Sequence, residues 1–223
     1  KVIRQEAPGA VVFSDIGPDI RWVGNESGIA GETNWNFLDT AGFQRGAGGP
    51  PQDTLNTGNV NGHHWIPAEC DVSIRPGWFY HPQEDDKVKS ANELMSLYLK
   101  SVGRGANLLL NVPPDRRGLI HPHDSASLFQ FKELRESFFR RNLVSGLPVD
   151  LILNNKRTAR TSLITDGDPK TYWEGSPKES SWTLEILLPA TQEINTLVLE
   201  EYLPKGQHIR SFSVYSSAGE TGE

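Results

Sequence analysis

Only one cysteine, Cys70, occurs in the 223 residues, which excludes an intrachain disulfide framework and any cysteine-rich metal site. No run of about 18 or more apolar residues is present, so the sequence holds no candidate membrane span. An excess of positive charge is missing as well. The formal net charge is −6 and no basic cluster stands out, so neither nucleic acid nor an anionic membrane is an expected partner. Internal repeats and low-complexity tracts are absent. The chain opens on Lys1 without a signal-peptide pattern, and the helix-like Lys1 to Glu6 runs into Pro8-Gly9 as though cut inside a larger protein. With 36% hydrophobic and 22% charged residues, the composition is that of an ordinary globular protein. What is plentiful is Gly (21), Pro (15) and Trp (6), a mixture that predicts many turns and aromatic surfaces suited to sugars.

The first half alternates strand and helix signals. Val11-Val12-Phe13 is an apolar run that ends in turn residues, as a parallel strand buried on both faces would. A long Gly-, Asn- and Thr-rich stretch from Gly24 to Trp65 follows, with Gly46-Ala-Gly-Gly-Pro-Pro51 at its middle. Glu69 to Ile74 reads as the next strand. Ser90 to Val102 is the clearest helix: Ser90 and Glu93 form a capping box, Ala91, Leu94, Met95, Tyr98 and Val102 make one apolar stripe, and Gly103 ends it. Asn107 to Val112 is a buried strand stopped by Pro113-Pro114. Asp124 is placed to cap a last helix with Leu128, Phe131, Leu134 and Phe138 inward. This order predicts a βα architecture. After Arg141 the helical period disappears. Trp182, Leu184, Ile186 and Leu188 alternate with polar partners, as do Phe212 and Val214, and turn signals at Asp166 to Pro169 and Pro204 to Gly206 separate short strands. Residues 141–223 therefore read as the beginning of a β-sandwich.

Two stretches carry residues suited to chemistry. In Phe13-Ser-Asp-Ile-Gly-Pro-Asp-Ile-Arg-Trp-Val-Gly-Asn-Glu26, a strand ends and Asp15, Asp19, Arg21, Trp22 and Glu26 follow closely. Residues just after a strand face the active site of a βα barrel, and a carboxylic acid beside a tryptophan has the apolar surroundings a proton donor needs. The alternative is a set of solvated loop charges. In His63-His-Trp-Ile-Pro-Ala-Glu-Cys-Asp-Val-Ser-Ile-Arg-Pro-Gly-Trp-Phe-Tyr-His81, aromatics, carboxylates and a cation surround one strand. Aromatic rings meet the CH faces of sugars and carboxylates bind hydroxyls. A metal site through His63, His64, Glu69, Asp71 and His81 is the weaker reading, since adjacent histidines on a strand point to opposite faces; no metal and no cofactor is expected. Asn25-Glu-Ser27 is a glycosylation sequon of a kind that occurs often by chance, and Cys70 reads as a buried small residue.

Those two motifs, together with Asn107-Leu-Leu-Leu-Asn-Val-Pro-Pro-Asp-Arg-Arg-Gly118, closely resemble the α-L-fucosidases of glycoside hydrolase family 29. The resemblance covers roughly residues 1 to 140 and is nearest to the subgroup that removes fucose linked α-1,3 or α-1,4 to branched, Lewis-type glycans. Thr161 to Trp173 and Gly206 to Val214 resemble a discoidin-type (coagulation factor 5/8 C-terminal) β-sandwich. The fold it implies is α/β: the C-terminal portion of a (β/α)8 TIM-like barrel over residues 1–140, about its last three strands, followed by an incomplete β-sandwich over 141–223.

The activity so implied is that of an exo-acting, retaining glycosidase, which needs two carboxyl groups about 5–5.5 Å apart. The subgroup's general acid/base falls on Glu26. Arg21 and Trp22 would shape the pocket, Trp78 would pack near the apolar methyl side of the sugar, and Glu69, Asp71 and Tyr80 would contact hydroxyls or branch sugars. The family nucleophile, an Asp in a Trp-Phe-Asp-Gly type motif, has no match here; one βα unit earlier would place it at least about 30 residues upstream of Val11. The sequence thus reads as an inactive fragment of a fucosidase whose partners are fucosylated oligosaccharides or glycoconjugates, and whose location is periplasmic or secreted, since such glycans sit outside cells. The alternatives are a carbohydrate-binding relative without catalysis and a metal-dependent hydrolase.

Overall fold

The computed structural model describes residues 2–14, 18–40 and 50–217. Asp15 and most of the glycine-rich stretch centred on Gly46 lie outside the described residues. The chain divides into two compact units, Lys1–Phe139 and Arg140–Glu223.

The first unit is built on a four-stranded parallel sheet in the order β1 (Phe13–Ser14), β2 (Ile20–Trp22), β5 (Ala68–Ser73), β6 (Asn107–Asn111). The strand expected at Val11–Phe13 is shifted to Phe13–Ser14, and Ile20–Trp22, expected as part of a loop, is a strand in its own right. Its three residues are too few for a period-2 signal, and its identity comes from pairing with β5, where Trp22 sits beside Glu69. A short helix α1 (Val2–Glu6) precedes the sheet. Between β2 and β5 the chain makes a long excursion. It contains a two-stranded antiparallel ribbon, β3 (Phe37–Leu38) with β4 (His64–Trp65), and the helix α2 (Gln52–Thr57). Between β5 and β6 runs α3 (Ala91–Ser101), and α4 (Pro122–Phe138) follows β6.

α3 starts where the sequence predicts. The Ser90 hydroxyl accepts from the Glu93 N–H, and the Glu93 carboxylate accepts from the Ser90 N–H at 2.8 Å, so two otherwise orphaned donors are satisfied. Its buried face is Leu94, Met95, Leu97 and Ser101, while Val102 is exposed. Strand alternation then divides the sheet into two chemically different faces. Ala68, Cys70 and Val72 of β5 point to one side, where Ala68 and Cys70 meet Val23, Ala30 and Ala106, and Val72 and Ile74 meet Leu94 and Leu97, with Leu128 and Phe131 of α4 packed against them. Burying one such aliphatic side chain contributes roughly 1.5–3 kcal/mol. Glu69, Asp71 and Ser73 point to the other side, level with Asn107, Leu109 and Asn111 of β6. That second face is polar.

Asp124 does not cap α4. His121 is the N-cap, with Pro122 as the first helical residue, and Asp124 is the third, within the first turn and fully buried. The reason is Arg75, whose buried guanidinium takes Asp124 as its counter-ion.

The second unit contains a three-stranded antiparallel sheet in the order β8 (Lys156–Thr161), β7 (Val149–Leu153), β9 (Thr183–Ile186). β7 and β8 form a hairpin over Asn154 and Asn155, both at positive φ (51° and 61°), the pair of left-handed residues a tight two-residue turn requires. The alternating stretch around Leu184 forms β9 as its pattern predicts. Phe212 and Val214 do not lie on any described strand and are 65% and 62% exposed. Alternation alone does not make a strand without a neighbouring strand to pair with.

Candidate active site

The C-terminal ends of parallel strands are where successive loops converge, and here the loops after β2 and β5 are tied to each other. Glu26 lies in the first. Asn25 turns the chain at that point: its side-chain carbonyl accepts from the Ser27 N–H at 3.1 Å, and its amide donates to Ile29 O at 3.2 Å. Gly28 then adopts φ 74°, and a Cβ there would stand 2.7 Å from Val72 Cγ1. Only glycine lets this loop press against β5, which fixes where Glu26 can reach.

The loop after β5 supplies the partner. The Trp78 indole N–H donates to Glu26 Oε2 at 2.9 Å. Trp78 is itself held from below, because Asn111 at the end of β6 donates to Trp78 O at 2.9 Å and to Ser73 Oγ at 3.1 Å. The Ser73 hydroxyl in turn donates to Gly77 O at 2.7 Å. Three successive parallel strands therefore feed one arrangement around a carboxylate that remains exposed.

Beneath that loop lies a buried charge cluster. Arg75 is fully buried; its Nε donates to Asp124 Oδ2 at 3.0 Å and its Nη1 to Asp85 Oδ1 at 2.9 Å. Nη2 also stands 3.0 Å from Asp124 Oδ1, an ion-pair contact without hydrogen-bond alignment. The guanidinium carbon sits 4.8 Å from the centre of the Tyr80 ring, and the Tyr80 hydroxyl donates to Asp85 Oδ2 at 3.4 Å. Burial pulls the Arg75 guanidinium down, but its bonds to Asp124 and Asp85 outweigh that and raise it. Burial likewise pushes Asp85 up and is outweighed by the Arg75 bond and the nearby His121, so Asp85 titrates below the ordinary carboxylate range. Tyr80 is raised, by burial first and by Asp85 second.

Six of the seven expected site residues fall into three groups. Glu26 and Trp78 meet directly. Trp22, Glu69 and Asp71 share the polar face of the sheet, where the Trp22 indole donates to Asp71 Oδ1 at 2.7 Å and Glu69 is raised by burial and then by Asp71. Tyr80 is half-buried and anchors its loop. Arg21 is a correction. It alternates with Trp22 on β2, so it points to the opposite face, where it is fully buried and cannot touch a sugar. Its three donors go to Leu55 O (2.8 Å), Ile66 O (2.6 Å) and Asn34 Oδ1 (2.7 Å), which pins the long excursion onto the sheet. Burial lowers its pKa to about 10, so it stays charged at neutral pH. Sequence reasoning missed Ser73, Arg75, Asp85 and Asn111, although all four stand in or beside the motifs it singled out.

Among the described residues, no three His, Cys, Asp or Glu side chains are placed to hold a metal ion, and no helix is long and apolar enough to cross a membrane. The Cys70 thiol is buried and pushed up to about 12 by desolvation, reinforced by Asp71.

Comparison with known proteins bears on this arrangement. Residues 47–133 match the α-L-fucosidase family model. The whole chain aligns with α-L-fucosidase 1 of Arabidopsis thaliana at 36% identity over 230 residues, covering 44% of that protein. The relatives are α-L-fucosidases. Among solved structures, one assigned as an α-L-fucosidase from Bacteroides thetaiotaomicron matches with a TM-score of 0.73 and 39% identity over 85% of this chain and 42% of its own. A fucosidase of glycoside hydrolase family 29 from Ruminococcus gnavus, in complex with fucose, matches with a TM-score of 0.60 and 26% identity over 75% of this chain and 35% of its own. The chain thus spans less than half the length of these fucosidases. Its mixed α/β fold with a parallel sheet is similar to theirs.

Proposed function

We propose that the chain forms the C-terminal part of the catalytic barrel of a retaining exo-α-L-fucosidase, with the start of a discoidin-like β-sandwich behind it, and that the full-length protein removes α-1,3- or α-1,4-linked fucose from branched glycans. The observation that carries this reading is the 2.9 Å bond from the Trp78 indole to the exposed Glu26 carboxylate, at the C-terminal end of a parallel sheet. The similarity to α-L-fucosidases over the same residues supports the substrate. Export to the periplasm or the medium follows from that substrate, which lies outside cells.

In this mechanism Glu26 serves twice. With Oε2 accepting the indole N–H, the other carboxyl oxygen carries the transferable proton. It gives that proton to the glycosidic oxygen as the bond to C1 of fucose breaks. A carboxylate nucleophile, an Asp outside these residues, forms the glycosyl ester on the opposite face. Glu26, now ionised, takes a proton from water as the water attacks C1 and releases fucose and the nucleophile. Trp22, Glu69 and Asp71 line the polar face and meet sugar hydroxyls. Proton NMR of the first product formed by the full-length protein tests the reaction class: α-fucose appearing first is expected, and β-fucose first would contradict a retaining mechanism.

A further inference from the structure

The residue beside Trp78 is a large apolar ring left in water. Phe79 is 78% exposed, although Gly77, Trp78 and Tyr80 around it are fastened. Gly77 O accepts from Ser73, Trp78 O accepts from Asn111, the Trp78 indole reaches Glu26, and Tyr80 is held between Arg75 and Asp85. The loop ends in a short helical turn at Pro82–Glu84, and Arg75 below it is locked to Asp124 and Asp85. A large apolar ring is therefore presented to solvent from a loop held on both sides of it. Leaving a phenyl ring in water forgoes the stabilisation of burying it.

We infer that Phe79 is the platform for the leaving-group sugar, the hexopyranose to which fucose is attached. This rests on the fucosidase reading of Glu26. The acid that protonates the glycosidic oxygen must stand beside the departing sugar, and consecutive Cα atoms are only about 3.8 Å apart, so the residue after Trp78 borders the same space. A pyranose has an apolar face of axial C–H groups, which packs on an aromatic ring whose face is electron-rich. Phe79 offers such a face and no hydrogen-bonding atom, so it selects for a ring in the leaving group rather than for particular hydroxyls.

The test compares two substrates in the full-length protein that carries this chain: a Lewis-type trisaccharide, whose leaving group contains the stacking sugar, and α-L-fucosyl fluoride, whose leaving group is too small to reach the ring. For Phe79→Ala, the ratio of kcat/KM on the trisaccharide to that on the fluoride is expected to fall about tenfold, mostly through KM, and Phe79→Tyr to restore it. An unchanged ratio in Phe79→Ala would overturn the platform while leaving the fucosidase reading intact. So would equal losses on both substrates together with a lowered melting temperature, since that marks a packing residue. A folded wild-type protein that hydrolyses neither substrate overturns the fucosidase reading, and the platform falls with it.

Discussion

The Trp78 indole N–H and the Glu26 carboxylate lie 2.9 Å apart, and they come from loops that follow two neighbouring parallel strands. A hydrogen bond to a charged group is worth about 1.5–3 kcal/mol, and one that orients a proton donor acts on the barrier directly. Trp78→Phe keeps the ring and removes the donor. In the full-length protein it is expected to lower kcat/KM on a natural trisaccharide by about 10- to 100-fold, with a smaller loss on fucosyl fluoride, which needs no protonated leaving oxygen. Steady-state kinetics on the two substrates check this, and equal losses would mean the indole acts only in packing.

The Arg75–Asp124 pair is predicted to matter for stability more than for chemistry. Both side chains are fully buried; removing Arg75 leaves Asp124 charged and unpaired, and removing Asp124 leaves Arg75 with Asp85 as its one counter-ion. Arg75→Met or Asp124→Leu alone is expected to cost about 3–5 kcal/mol in urea unfolding, and the double variant distinctly less than the sum. Additive losses would argue against a direct pair.

Acid sensitivity follows from the carboxylates. Asp115 is held well below its ordinary value of 3.8, at about 2, chiefly by the Arg117 side chain and also by the N–H groups of Arg117 and Leu119. Asp85 is lowered as well. A depressed folded pKa contributes stability that is complete above the unfolded value and lost as pH falls through the folded one. The melting temperature is therefore expected to hold down to pH of about 4 and to fall between about 4 and 2. Asp115→Asn should make that decline shallower in a thermal-shift series across pH.

Cys70 lies on β5, fully buried in the core, and its thiol is pushed up to about 12. It should resist iodoacetamide at pH 8 in the native protein and react fully in urea, as read by mass spectrometry. Rapid native labelling would show that the β5 core opens readily.

Part of this was legible from the chain alone. The capping box at Ser90 and Glu93 placed α3 because its signal is local, two side chains closing on the backbone three residues away. The resemblance named Glu26 and Trp78 separately, but not their contact, which joins residues 52 positions apart. The role of Arg21 was misread although its cause is local too: on a strand, neighbours of Trp22 must face the other way, and Ile20–Trp22 is too short to announce itself as a strand. Asp124 carried a helix-capping signal that lost to a tertiary demand, the buried guanidinium of Arg75 some fifty positions earlier. Asn111 could not be read in advance either, because its bonds to Ser73 and Trp78 exist only once β6 pairs with β5.

The most direct test of the central claim is fucose release from a Lewis-type trisaccharide by the full-length protein, wild type beside Glu26→Ala. The account predicts release by the wild type and loss of nearly all of it in the variant, with activity on fucosyl fluoride reduced far less. Release at an undiminished rate by Glu26→Ala would contradict the assignment of the acid/base, and no release by a folded wild type would replace the enzyme with a carbohydrate-binding protein.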